Sequence, residues 1–242
     1  MSERTGLHGK RILVTGGTTG IGREVIKLLS ERGARVFTFG RDSETLEDAL
    51  EYAEGVMGVS ADAATKAGIA EVFEKLDEAL GGIDILVACA ALGAQPIHEM
   101  ADDEWRYVID TNLTGYLACA RAAIQRMIPQ GGGHLVFVGS ISTEIKAEGE
   151  SVYSATKAAI QAFAETLRKE VADKHIKVSV IQPGSVDTDM QECSPEEKRR
   201  AIANDEMLHA VEVAEAIEFV LTRSARADVV NLRIEPRRQK TS

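Results

Sequence analysis

Short runs of apolar residues alternate with amphipathic segments along the chain, and this alternation limits the possible folds more than any other feature of the sequence. Seven runs are rich in valine and isoleucine and are continuously apolar, which is typical of strands buried on both faces of a parallel sheet. They cover 11–15, 35–39, 55–60, 83–88, 134–139, 176–182 and 229–234. The pattern predicts a doubly wound α/β fold, with a seven-stranded parallel sheet flanked by helices on both faces.

Helical spacing of apolar residues marks the segments between these runs. One pattern covers 69–80, where Gly81 and Gly82 end the helix; others cover 105–117 and 211–222. The stretch 189–209 is charged and contains Pro195, so we interpret it as a helical lid over the substrate, with an ordinary surface helix as the alternative. Because we find no linker, repeat or low-complexity block, we expect one domain over 1–242.

The net charge argues against several classes of partner. The 242 residues include 28 Lys and Arg against 38 Asp and Glu, which gives a formal net charge of −10. An acidic chain is a poor match for nucleic acid or for an anionic membrane, and no apolar run has the length of a membrane span. We interpret the basic tail, which includes Arg237, Arg238 and Lys240, as solvated charge.

The cysteines and the first residues indicate the compartment. Three cysteines, with no CxxC pair and no histidine cluster, favour neither a disulfide framework nor a metal site. The first ten residues lack the apolar core of a secretory signal. We therefore expect a cytoplasmic protein that binds no metal.

A glycine-rich turn follows the first predicted strand directly. Its sequence is Thr15-Gly16-Gly17-Thr18-Thr19-Gly20-Ile21-Gly22, and a helical pattern begins there. In such a turn the first glycine permits the sharp bend, the second lets the backbone approach a pyrophosphate, and the third lets the helix pack on the strand. The N–H groups at the helix start then face the phosphates. The motif predicts a Rossmann-type dinucleotide site.

The end of the second predicted strand indicates which dinucleotide binds. Sites selective for NAD carry an acid here that binds the ribose 2′-hydroxyl, whereas this chain has Gly40 followed by Arg41. Glycine leaves space, and a guanidinium matches a 2′-phosphate. We therefore expect NADP(H). The alternative is that Arg41 is solvated and that Asp42 binds the ribose.

Tyr153 and Lys157 are four residues apart at the start of a helical segment, so they share one helix face. A neighbouring ammonium favours the phenolate form and is expected to lower the tyrosine pKa from its usual value near 10. Such a tyrosine is suited to general acid–base catalysis.

Taken together, these motifs resemble the short-chain dehydrogenase/reductase family, from Lys10 to about Gln239. Further matches are Ser140 at the end of the fifth predicted strand, Asn112 in a helix, and the loop 183–188. The resemblance implies four catalytic residues. Tyr153 would donate a proton to the substrate carbonyl, Ser140 would bind the same oxygen, Lys157 would lower the tyrosine pKa and hold the nicotinamide ribose, and Asn112 would hold a water.

The resemblance also implies the cofactor contacts. Asp62 would contact the adenine, with a helix cap as the alternative interpretation, and Thr188 would bind the nicotinamide carboxamide with help from Val186. The full cofactor-binding set is Gly16, Thr18, Thr19, Gly20, Ile21, Arg41, Asp62, Ala90, Tyr153, Lys157, Pro183, Gly184, Val186 and Thr188.

The chain departs from the family pattern after the fourth predicted strand. The usual Asn-Asn-Ala-Gly is replaced by Ala88-Cys89-Ala90-Ala91, which puts details of cofactor positioning in question. The C-terminal segment resembles NADP-dependent 3-hydroxy acid and serine dehydrogenases and related aldehyde reductases.

Substrate contacts are predicted at Ser142, Gln95 and Met190. Lys146 either attracts a substrate carboxylate or is solvated. We expect an oxidoreductase that transfers hydride between NADP(H) and the carbonyl or alcohol group of small molecules, acidic ones included.

Two other functions are compatible with the sequence. One is a non-catalytic NADP-binding regulator or scaffold, which the presence of both Tyr153 and Lys157 disfavours. The other is a 3-oxoacyl-thioester reductase, which would need a basic docking patch near the pocket that the sequence does not show. The resemblance also implies a homotetramer whose seam is formed by the helices of Asn112 and Tyr153, with Ala118, Ala122, Ala159 and Phe163 facing outward.

Overall fold

A computed structural model describes residues 6–191 and 193–239. The first five residues, part of the segment in which we expect no secretory signal, lie outside the described residues, as do Glu192 of the predicted lid and Lys240 of the basic tail. The described residues form one sheet of seven parallel strands: β1 (Arg11–Thr15), β2 (Arg35–Gly40), β3 (Met57–Ser60), β4 (Ile85–Ala88), β5 (Gly133–Val138), β6 (Ile176–Pro183) and β7 (Asn231–Ile234).

Helices connect the strands and cover both faces of the sheet. They are α1 (Gly20–Glu31), α2 (Ser43–Tyr52), α3 (Lys66–Leu80), α4 (Asp102–Ile109), α5 (Gly115–Gln130), α6 (Ser142–Ile145), α7 (Ser151–Val171), α8 (Pro195–Ala203) and α9 (Ala210–Leu221). A wider π-helical turn at Asp110–Thr114 joins α4 to α5, and a short 3₁₀ turn at Ala172–Lys174 follows α7. No helix among the described residues is long and apolar enough to cross a bilayer.

The strand order is β3-β2-β1-β4-β5-β6-β7, and every pair is parallel. From β1 the chain adds β2 and then β3 on one side. It then crosses to the other side of β1 and adds β4, β5, β6 and β7 in turn. In such a sheet a crevice opens beyond the carboxyl ends of the two central strands, where their connections diverge. The predicted fold class is therefore confirmed, and the topology places the ends of β1 and β4 at the natural ligand site.

Two apolar layers explain why the predicted strands are continuously apolar. Ile12 and Val14 of β1 pack in one layer with α1 and α9, and Leu13 packs in the other with α3, α5 and α7. Because successive side chains of a strand point to opposite faces, a strand covered on both sides buries every residue.

Several predicted strands begin earlier than the observed ones. The run 55–60 pairs only from Met57, and the run 83–88 only from Ile85, although Val56 and Ile83 are buried. A run of apolar residues indicates buried side chains. The residues just before these two strands are already buried, although their backbone is not yet paired with a neighbouring strand.

The charged stretch 189–209 contains α8. Ser194 caps this helix, since its Oγ accepts from the Glu197 N–H at 3.3 Å while the Glu197 carboxylate accepts from the Ser194 N–H at 2.8 Å. A single parallel bridge between Val186 and Leu208 then returns the chain to the core. The predicted helical excursion is therefore present, and its role as a lid stays a prediction.

A buried histidine makes the stability of the fold sensitive to acid. His134 lies on β5 with its Nε2 2.9 Å from the Ser179 Oγ, and burial, assisted by the charge of Lys177, lowers its pKa to about 3. The unfolded chain takes up this proton near pH 6.5 while the folded chain resists it, so stability is lost progressively as the pH falls from about 6.5 to about 3.

We predict that lowering the pH from about 6.5 to about 3 reduces the free energy of unfolding less in His134→Gln than in the unmodified chain, and that the two losses differ by about 3 to 5 kcal/mol. Denaturant titrations at a series of pH values measure the difference. His98→Gln is the control, because its side chain is 79% exposed. Equal pH slopes for the His134 variant and the unmodified protein would contradict the prediction.

Candidate active site

The glycine turn after β1 leaves no space for side chains. A Cβ on Gly16 would lie 2.6 Å from the Ala90 Cα, and one on Gly22 would lie 2.1 Å from the carbonyl oxygen of Gly16. Gly16 and Gly20 also adopt positive φ angles of 66° and 51°, which glycine accepts without strain. Thr19 begins α1 without a side-chain cap, so the N–H groups of the first turn carry no capping hydroxyl or carboxylate. This cradle fits the pyrophosphate of a dinucleotide.

Hydrogen bonds hold the loop after β4 against the glycine turn. The Thr15 Oγ1 accepts from the N–H groups of Cys89 and Ala90, at 3.1 and 3.0 Å. The backbone after β4, where the family's two asparagines are missing, is thus anchored by a threonine of β1. Burial raises the pKa of the Cys89 thiol to about 12, so this cysteine is a packed thiol rather than a reactive one.

The predicted ribose and adenine contacts meet beside β2 and β3. Arg41 donates to the Tyr107 hydroxyl at 2.9 Å, and that hydroxyl donates to the Asp62 carboxylate at 3.0 Å. Sequence reasoning missed Tyr107, which comes from α4 and has no local motif. Asp62 also accepts from the Ala64 N–H at 2.8 Å, whereas the N-cap of α3 is Thr65. The alternative reading of Asp62 as the helix cap is therefore wrong.

Asp42 has a structural partner of its own. Its carboxylate accepts from the Thr45 N–H at 2.9 Å and caps α2, and this bond is the largest of the contributions that lower the Asp42 pKa. A carboxylate that caps a helix is already oriented toward that helix, which weakens the alternative that Asp42 binds a ribose.

Lys157 is the most deeply buried charged group of the site. It is 1% exposed, and its Nζ donates to the Val138 carbonyl at 2.8 Å and to the Tyr116 hydroxyl at 3.5 Å. The ammonium also lies 5.7 Å from the centroid of the Tyr153 ring. Tyr116 was not predicted from the sequence, since a tyrosine on an apolar helix face looks like ordinary core packing.

The pKa values correct one expectation. We expected Lys157 to lower the Tyr153 pKa, but burial raises it to about 12, with a hydrogen bond from Ser140 opposing the rise and the charge of Glu150 adding to it. Burial also lowers the Lys157 pKa to about 8. Desolvation is the largest cause for both groups, because both are enclosed and each charged form loses its hydration.

Asn112 lies in the π-helical turn and is fully buried. Its Oδ1 accepts from the Leu92 N–H and its Nδ2 donates to the Leu92 carbonyl, both at 2.8 Å. The Nδ2 is also 3.4 Å from the Thr156 Oγ1 on α7. The side chain therefore fixes the loop after β4, and the water expected at Asn112 stays a prediction.

Ser140 and Ser142 lie together at the end of β5. The Ser140 Oγ accepts from the Ser142 N–H at 3.0 Å, and the two hydroxyl oxygens are 3.1 Å apart. Ser142 in turn donates to Glu150 at 2.8 Å. Glu150 is a neighbour of the site that the sequence motifs did not indicate.

The loop after β6 closes over the glycine turn. Pro183 ends β6, and Gly184 donates its N–H to the Ile234 carbonyl at 2.8 Å. Val186 is buried, and the Thr188 side chain lies close to Gly20, where an added Cβ would be 3.0 Å from the threonine Cγ2. Thr188 is therefore brought to the predicted cofactor residues.

The remaining predicted residues fall into two groups. Thr18 contacts Gly40, where an added Cβ would be 2.4 Å from the threonine Cγ2, and Ile21, in the first turn of α1, packs against the core. Met190 is 39% exposed and faces Gly93, and Gln95 is exposed on the loop of Gly93 that follows β4. Among the described residues there is no cluster of three or more His, Cys, Asp or Glu that could hold a metal.

Comparison with known proteins settles the family. Residues 10–199 match the family model described as short chain dehydrogenase. The chain belongs to the short-chain dehydrogenase family. An uncharacterized oxidoreductase of Staphylococcus aureus (strain USA300) is 33% identical over 236 residues, which cover 96% of this chain and 99% of the relative. The protein is therefore an oxidoreductase of a family that binds nicotinamide cofactors.

Solved structures support the same fold. A 3-ketoacyl-(acyl-carrier-protein) reductase from Brucella melitensis, complexed with NADH, superposes with a TM-score of 0.87 at 24% identity and covers 97% of this chain and 100% of its own. A variant of the actinorhodin polyketide ketoreductase with NADPH gives a TM-score of 0.84 at 28% identity and covers 95% and 97%. Both forms of the reduced cofactor thus occur among these neighbours.

Proposed function

We propose that the protein is an NADP(H)-dependent carbonyl reductase or alcohol dehydrogenase that acts on small molecules, with Tyr153 as the general acid and base. The observation that carries the proposal is the convergence of Ser140, Tyr153 and Lys157 next to a glycine cradle built for a dinucleotide. A bound nicotinamide would supply or accept the hydride at its C4 position.

Each side chain of the site has a role that fits its environment. Tyr153, with its pKa raised to about 12, keeps its proton at neutral pH and can donate it to a carbonyl oxygen that becomes an alkoxide. Ser140 binds the same oxygen as charge develops. Lys157 has three N–H donors and directs two of them at Val138 and Tyr116, which leaves one for a ribose hydroxyl.

The roles of the remaining candidates follow from their positions. Asn112 holds the loop after β4 in place, and the turn at Thr18 and Thr19 receives the pyrophosphate. The loop of Pro183, Gly184, Val186 and Thr188 closes over the nicotinamide, and the 189–209 stretch acts as a lid whose Met190 covers the substrate.

We predict that Tyr153→Phe lowers kcat/KM for carbonyl reduction by about 10²- to 10⁴-fold, because it removes the proton donor and keeps the ring. NADPH binding should stay within about threefold, since the ring of residue 153 and all the other predicted cofactor residues remain. NADPH oxidation over a panel of aldehydes, ketones and 3-oxo acids measures the first, and fluorescence titration the second.

Tyr52→Phe is the matched control, because Tyr52 lies on α2 with its ring 37% exposed. Turnover by the Tyr153 variant at the rate of the unmodified enzyme would show that Tyr153 is not the acid. Tight NADPH binding without turnover of any carbonyl would favour the alternative of a non-catalytic NADP-binding regulator or scaffold.

The choice of NADP(H) over NAD(H) rests on the end of β2. Gly40 provides no acid for a 2′-hydroxyl, Asp42 is occupied as a helix cap, and the Arg41 guanidinium is exposed beside the site. A phosphate would attract this guanidinium through charge-assisted hydrogen bonds.

We predict that Arg41→Ala weakens NADPH binding by about 10- to 100-fold, which corresponds to the loss of one charged hydrogen bond, while NADH binding changes little. Paired titrations with the two cofactors measure the preference. Arg226→Ala is the control, because Arg226 is exposed in the segment that precedes β7, at the opposite end of the strands. An unchanged preference for NADPH would exclude Arg41 as its determinant.

A 3-oxoacyl-thioester reductase is the second candidate within the family, and two solved neighbours are named for such activities. The segment beside the two serines carries three carboxylates, Glu144, Glu148 and Glu150, against the single ammonium of Lys146. This is the opposite of the basic docking surface that an acidic carrier protein requires, so we favour free small molecules.

The proposal includes a homotetramer in the cytoplasm. Cys89, Cys119 and Cys193 are free, which fits a reducing compartment, and cell fractionation tests the location. Of the residues expected to face outward, Ala118, Ala122 and Phe163 pack on the chain's own core, so the seam would depend on more exposed groups such as Leu117.

We predict that light scattering gives about four times the mass of one chain. The reason is that α5 and α7 expose small and apolar residues that a second copy would cover. A monomer at micromolar concentration would contradict this assembly.

A further inference from the structure

A carboxylate controls the direction of the hydrogen bonds in the predicted catalytic site. Ser142 Oγ is 2.8 Å from the Glu150 Oε2 and 3.1 Å from the Ser140 Oγ. Because an ionised carboxylate only accepts hydrogen bonds, Ser142 must donate to Glu150. In this structure Ser142 then accepts from Ser140. When Ser140 turns its single proton to a substrate oxygen, Ser142 still donates to Glu150.

A short segment between β5 and α7 brings this carboxylate to the predicted catalytic site. Ser142 begins α6, Lys146 ends it in a left-handed conformation with φ 53°, and Glu150 immediately precedes α7. Glu150 is half-buried, three residues before Tyr153. A substituent on the carbon next to a carbonyl that binds Ser140 would lie within reach of Ser142 and Glu150, since the two serine hydroxyls are 3.1 Å apart and Ser142 contacts Glu150.

Among the described residues, no lysine or arginine forms an ion pair with Glu150. Lys198 on α8 donates to the Thr188 carbonyl at 2.7 Å and lies 3.6 Å from Asp187. Arg233 pairs with Glu235. On the loop itself, Lys146 is exposed and forms no ion pair within the described part of the chain. Both interpretations of Lys146, attraction of a substrate carboxylate and a solvated side chain, therefore stay predictions.

We propose that Glu150, acting with Ser142, determines substrate specificity: it selects carbonyl compounds that carry an ammonium or hydroxyl group on the carbon next to the carbonyl, and it discriminates against a carboxylate there. The inference rests on the proposed carbonyl reductase function and narrows its substrate class. Glu150 has acceptor capacity beyond its bond with Ser142, since a carboxylate has two oxygens and about four lone-pair sites.

The sign of the selectivity follows from electrostatics. An ammonium beside Glu150 gains an opposite charge in a partly desolvated position, and a carboxylate there meets a like charge. Glu150 retains contact with solvent, which weakens both effects. We therefore expect a discrimination of about 100-fold between the two charged substituents rather than the larger factor of a dry site.

The test uses four ketones of the form CH₃–CO–CH₂–X, with X as ammonium, hydroxyl, methyl or carboxylate: aminoacetone, hydroxyacetone, butanone and acetoacetate. The value of kcat/KM with NADPH is measured for each compound, with the unmodified enzyme and with Glu150→Gln. Glutamine keeps the shape and an acceptor for Ser142 but removes the charge. Glu148→Gln is the matched control, because Glu148 is exposed on the same loop and contacts neither serine.

We expect Glu150→Gln to reduce the ammonium-to-carboxylate ratio of kcat/KM by tenfold or more, whereas the control leaves this ratio within about twofold. The hydroxyl-to-methyl ratio should change less than threefold, because a carboxamide oxygen still accepts a hydrogen bond. For each compound, kcat/KM of the variant is divided by kcat/KM of the unmodified enzyme. This removes the differences in intrinsic reactivity among the four ketones. A purely structural role of Glu150 would lower all four values together.

Two results would overturn the inference. One is an unchanged ammonium-to-carboxylate ratio in Glu150→Gln. The other is turnover of other carbonyl compounds by an enzyme that neither binds nor reduces aminoacetone and hydroxyacetone. In both cases turnover that depends on Tyr153 would leave the proposed reductase function intact. Activity that survives Tyr153→Phe, or NADPH binding with no turnover of any carbonyl, would instead refute the proposed function itself.

Discussion

The close approach of two backbone segments at the centre of the sheet is the constraint on which the site depends. Gly16 lies so near Ala90 that no Cβ fits between them, and Thr15 binds the N–H groups of Cys89 and Ala90. This contact joins the ends of β1 and β4, where the topology opens its crevice. The same Thr15 hydroxyl holds the backbone at the position where the family's two asparagines are missing.

Desolvation governs the chemistry that this crevice can support. Lys157 is enclosed between Tyr116 and Tyr153, and it has the Val138 carbonyl as a short hydrogen-bond partner. Burial moves the pKa values of Lys157 and Tyr153 in opposite directions, toward the neutral form of each. A tyrosine that keeps its proton suits the reduction of a carbonyl, and Glu150 adds to this effect by its charge.

Local pattern predicted much of the fold and the principal motifs. The five inner strands were found because each is buried on both faces, and the start of α1 because only glycine fits the turn before it. The boundaries were less accurate, as at Val56 and Ile83, because burial begins before strand pairing. The direction of the Tyr153 pKa was wrong for a related reason: spacing shows that Lys157 is near, whereas only the enclosed structure shows how strongly both groups are desolvated.

The sequence by itself determined the order of strands and helices, the glycine turn, and the placement of Ser140, Tyr153 and Lys157, since each depends on residues close together in the chain. Only the tertiary structure decided which polar groups complete the site. Tyr107 joins Arg41 to Asp62 from a distant helix, and Tyr116 reaches Lys157 across α5 and α7. Such contacts depend on how helices pack on a twisted sheet, and no periodicity along the chain records that packing.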